Sequence, residues 1–158
     1  MDLENALQTA VRLRELISDE IQRARDERRL LRSLDASALF ARAAQRAVFL
    51  ADAARLERLL GSSLQQVASA SGMPALTLER LRKLVPSHEG TTLAEVLSEV
   101  RALAGALQEI DRLNVDLARR ALRIVRGYVD TLQPTPRAYD RRGTRTGAPA
   151  LAVVSSEG

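Results

Sequence analysis

Apolar residues recur at helical spacing through three long stretches of this chain, and nowhere with the two-residue alternation of a strand. Leu3, Leu7, Ala10, Leu13, Ile17, Ile21, Ala24 and Leu31 make one stripe, which predicts a first helix over residues 2–32. Ser33 and Asp35 are N-cap residue types, and behind them a second helix is predicted over 36–60, with Phe49, Ala53, Leu56 and Leu60 on its apolar side. Ala41, Ala43, Ala44, Ala47, Ala51 and Ala54 keep that helix slim, as close helix approach requires, and Gly61 is expected to end it. Short helices over 64–70 and 76–84, separated by the sequence SGMP, lead to a loop with Pro86, His88 and Gly90.

The longest seam follows. Leu93, Val96, Val100, Leu103, Leu107, Ile110, Asn114, Leu117, Ala121, Ile124 and Tyr128 alternate steps of three and four, as along a coiled coil. They predict one helix over 92–132, capped by Thr91 or Thr92 with Glu95 completing a capping box. A helix of that length, roughly 60 Å, cannot bury its seam alone. The expected fold class is therefore all-α, an elongated antiparallel helical bundle (residues 1–132) with one long C-terminal helix. Residues 133–158, rich in proline and glycine, are expected to form a disordered, flexible tail.

Composition supports the helices and narrows the chemistry. Aromatic residues are only 3% of the chain and Trp is absent, so the core must be built from Leu, Ala, Val and Ile. With no cysteine there is no disulfide framework, and a reducing cytoplasm is the expected location. No apolar run reaches the length of a membrane span, and the acidic, amphipathic start MDLENALQTA does not resemble a secretory signal. Net charge is +4, carried by 23 arginines and Lys83 alone, with 20 acids interspersed. Even the run RARDERR reads as a solvated helix face, so charge by itself selects neither nucleic acid nor membrane.

An enzyme would need parts that are missing. His88 is the single histidine, the glycines are scattered and form no phosphate loop, and no nucleophile elbow occurs. No cofactor or metal is expected. Residues 64–84 have the spacing of a helix-turn-helix, with Gly72 at the turn and Thr77, Arg80 and Lys83 on the outer side, so DNA binding is one alternative. A structural coiled-coil adaptor, its seam covered by self-association, is another. Asn114 is the polar residue within the seam. Either it fixes register from a buried position, or it marks a locally solvated stretch.

The stretches ELISDEIQRARDERRLLRSLD, RLLGSSLQQVASASGMPALTLERLRKLVP and LQEIDRLNVDLARRALRIVRGYVDTL, followed by AYDRRG, resemble the flagellar export chaperones of the FlgN type. That family carries an Asn-x-x-Asn-Gly pattern in its long helix and a tail Tyr shortly before a Gly. Asn114 matches the second Asn, while Asp111 stands for the first and Val115 for the Gly; Tyr139 and Gly143 match the tail. The resemblance implies a cytoplasmic, non-enzymatic chaperone for hook–filament junction (hook-associated) proteins. It implies client binding by Leu117, Ala121, Ile124, Val125, Tyr128 and Leu132. It also implies docking of Tyr139 and Gly143 to the cytosolic domain of the export gate.

Overall fold

The computed structural model describes residues 2–70, 72 and 88–132, and all regular structure in them is α-helix. Helix α1 is Asp2–Ser33, α2 is Ala36–Ala70 and α3 is His88–Leu132. The expected helix over 76–84 and the tail over 133–158 lie outside the described residues. The chain divides into two units, Met1–Ala121 and Leu122–Gly158.

In the first unit, α1 and α2 form an antiparallel hairpin. Its turn rests on Asp35, whose Oδ1 accepts the Ala38 amide at 3.0 Å, an N-cap bond at the third residue of α2. Ser33 belongs instead to the last turn of α1, where its hydroxyl donates to the Leu30 carbonyl at 3.2 Å. Leu34 between them is forced to φ +54°, the left-handed region that a side chain disfavours.

The core takes Ala6, Ala10, Leu13, Ile17, Ile21 and Ala24 from α1, with Phe49, Leu56 and Leu60 from α2. From α3 it takes Leu93, Ala94, Val96 and Leu107, with Val100, Leu103 and Ile110 packed at its margin. Leu93 is wholly buried, a contribution of about 1.5–3 kcal/mol. Helix α3 runs parallel to α1, because the partners rise together: Arg14 meets Glu99 and Ala24 meets Asn114. These pairs are offset by 85 and 90 residues. At those offsets Ser33, the end of α1, falls level with about residue 120 of α3.

Three expectations fail locally. Gly61 does not end α2. Leu60 and Ala68 are both buried and Leu64 packs on the core, so burial on either side outweighs the cost of about 1 kcal/mol for a glycine in a helix. Residues 64–70 are therefore the end of a long helix, not the separate first helix of a helix-turn-helix. The helix stop comes later, where Gly72 takes φ +67° and its amide donates to the Ser69 carbonyl at 3.1 Å.

Five of the six alanines expected to slim α2 do not mediate helix contact either. Ala41, Ala43, Ala44, Ala47 and Ala51 are exposed, because the face turned to the core carries Arg42, Phe49, Leu56 and Leu60. Helix α3, finally, has begun by His88, so Thr91 and Thr92 lie within it and are not its caps.

Candidate functional site

Two features of α3 bear on function: a polar lock that fixes its middle and an apolar face at its C-terminal end. The lock begins with Glu20, which is 0% exposed inside the core stripe of α1. Its Oε1 accepts from Arg42 Nη2 at 2.5 Å and from Arg46 Nη1 at 2.7 Å, both on α2. Arg42 also donates through Nε to Glu27 at 3.1 Å. Arg46 continues to α3, where Nη2 donates to Asp111 Oδ2, and its guanidinium lies 5.2 Å above the Phe49 ring.

Burial works against the Arg46 charge, but its hydrogen bonds to Glu20 and Asp111 outweigh that, and its pKa is raised. A buried carboxylate is tolerated here because two arginines of α2 satisfy it, and Arg23 of α1 lies 3.7 Å from it. Among the described residues no buried side-chain polar atom lacks a partner.

One helical turn beyond Asp111, Asn114 is 4% exposed. Its Nδ2 donates to the Ala24 carbonyl at 2.7 Å, and its Oδ1 accepts from Arg28 Nε at 3.0 Å. The solvated alternative for Asn114 is thereby excluded. Asp111 and Asn114 thus reach different helices of the hairpin, Asp111 to α2 and Asn114 to α1.

The sequence reading missed Glu20 and Arg42, and treated RARDERR as solvent-facing although Glu27 and Arg28 belong to this network. A signal was present in the heptads. Ala6, Leu13, Glu20 and Glu27 are seven residues apart, as are Arg42, Phe49 and Leu56, so charges recur at core positions of both helices.

Past Asn114 burial declines. Leu117 and Ala121 are half-buried in the first unit. In the second unit, every described residue from Leu122 to Leu132 is exposed. Six of those eleven are large and apolar: Leu122, Ile124, Val125, Tyr128, Val129 and Leu132, with Tyr128 at 69% and Leu132 at 80%. Ile124, Val125, Tyr128 and Leu132 are four of the residues expected to meet a client; Leu122 and Val129 are additions. Arg119 lies 3.5 Å from Asp116, whereas Arg120, Arg123 and Arg126 have no ion-pair partner among the described residues. Tyr139 and Gly143 lie outside the described residues.

This face is apolar at helical spacing, with arginines along its flanks. Among the described residues no group of three or more His, Cys, Asp or Glu could hold a metal ion. No described helix is long and apolar enough to cross a membrane. No curated protein and no solved structure matches the chain. The sequence pattern of the FlgN protein family does match, over residues 1–147. With that coverage, and an all-helical fold whose long last helix carries Asn114, the chain belongs to the FlgN family of flagellar export chaperones.

Proposed function

We propose that this protein is a cytoplasmic chaperone that holds terminal helices of hook–filament junction proteins, prevents their premature assembly and delivers them to the export gate. The observation that carries this reading is the exposed apolar end of α3. Patches of this kind on a soluble chain mark interaction sites. An amphipathic client helix would lie along it by anchors spaced three and four residues apart.

Ile124, Val125, Tyr128 and Leu132 are the central contacts, and Leu117 and Ala121 add the surface they leave exposed. Arginine stems at 119, 120, 123 and 126 would cover the edges of the client while their charges meet its acids. Asn114 is the register residue of this reading, through its bonds to Ala24 and Arg28. Tyr139, near Gly143, is the contact to the gate's cytosolic domain, where one aromatic ring supplies area at low entropic cost.

Co-expression with each junction protein, followed by size-exclusion chromatography, tests this function. A stoichiometric complex is expected, and Ile124→Asp should abolish it. Absence of a complex with every junction protein would refute the chaperone reading. A constitutive dimer that takes up no client would favour a coiled-coil adaptor.

A further inference from the structure

We infer that the exposed end of α3 receives two partner helices side by side rather than one, an inference that rests on the chaperone reading above. Two seams run along it. Ile124 and Tyr128 continue the long seam of α3. Leu122, Val125, Val129 and Leu132 form a second, with steps of three, four and three, and Val115 and Ala118 precede them in the same alternation. At 3.6 residues per turn, the arc from Ile124 round to Leu122 is about 160°. A single partner in a coiled-coil seam needs a distinctly narrower stripe. A helix with two heptad seams on one face is patterned for two neighbours.

Exposure agrees with the pattern. Ile124 is 58% exposed and Leu122 55%, so both margins of the arc are open, not its centre alone. Charge then selects the occupant. Residues 117–132 carry four arginines against Asp130 alone. Arg126 is four residues after Leu122 and three before Val129, and so neighbours the second seam; Arg120, four before Ile124, neighbours the first.

A second copy of this chain would bring the same arginines to the interface, where like charges oppose pairing. The fitting occupant is a pair of amphipathic helices from one client, apolar toward α3 and acidic along both outer edges.

Titration calorimetry on the full chain tests this, using a full-length junction protein and a peptide carrying one of its terminal helices. Leu122→Glu with Val129→Glu changes the second seam, and Ile124→Glu with Tyr128→Glu the first. All four sites are exposed, and circular dichroism checks that helix content is kept. Each double variant should weaken the full client about tenfold or more, whereas the peptide should respond to only one of the pairs.

If one pair leaves client affinity at the wild-type value while the other abolishes it, a single helix binds; the inference fails and the chaperone reading stands. If neither pair matters, or the wild type binds no junction protein, both fail. Sedimentation of the wild type as a dimer that either pair dissolves would overturn the inference in favour of a second copy.

Discussion

The side-chain amide of Asn114 donates to the backbone carbonyl of Ala24 at 2.7 Å, across 90 residues of sequence. In this arrangement both ends of the buried Asn114 amide are satisfied by α1. With the Arg28 Nε bond to Asn114 Oδ1, the bond to Ala24 fastens the middle of α3 to α1 within the first unit.

Replacing Asn114 with Ala would leave Arg28 Nε without its acceptor and remove a buried bond to Ala24. We expect Asn114→Ala to lower unfolding free energy by about 1–3 kcal/mol, read as a lower urea midpoint at constant slope. An unchanged midpoint would show that the amide is replaced without loss.

Glu20 is the more severe position. Glu20→Ala would strip the 6%-exposed Arg42 of its closest anion and cost about 3–5 kcal/mol. In a double-mutant cycle with Arg42→Ala, the second change should cost much less once the first is made. Additive effects would mean that the two residues act independently.

Two residues sit against their local preference, and correcting them should stabilise the protein. A Cβ at Gly61 would meet nothing within 4 Å, so Gly61→Ala should gain about 0.5–1 kcal/mol by restricting the unfolded chain. Leu34→Gly should relieve the positive φ, with a smaller net gain because glycine is freer when unfolded. Thermal unfolding measures both; a fall in Tm for Gly61→Ala would contradict the open space around Gly61, and a fall for Leu34→Gly the strain assigned to Leu34.

The Arg112 hydrogen bond at 2.7 Å holds the Glu109 carboxyl below its usual range, with desolvation opposing and the Arg112 charge adding to it. Its contribution is present above the unfolded-state value and lost as pH falls through the folded one. Because Glu109 is fully exposed, water and salt screen the pair. Glu109→Gln should leave the Tm unchanged at neutral pH and in mild acid. A clear fall at neutral pH would show that this surface pair carries structural weight.

The helices were legible because Leu13, Ile17 and Ile21, like Leu93 and Val96, repeat at a period that only a helix satisfies. Asn114 stood out as polar within an apolar seam. Which helix it meets was not legible, since that depends on how α3 is placed against the hairpin. Gly61 misled because local propensity favours a stop, whereas the burial of Leu60 and Ala68 on one face is a tertiary effect. Glu20 and Arg42 were missed because each looks like a solvated charge until the other is brought beside it. The apolar face over Leu122–Leu132 was partly visible as periodicity, but exposure is a property of the folded chain that periodicity does not give.

Amide hydrogen exchange across Leu122–Leu132, with and without a hook–filament junction protein, tests partner binding at this site most directly. Fast exchange is expected in the free chain, where every side chain is exposed, and marked slowing there once the client is added. Unchanged exchange in Leu122–Leu132, with new protection confined to α1 and α2, would place the client elsewhere and contradict the assignment.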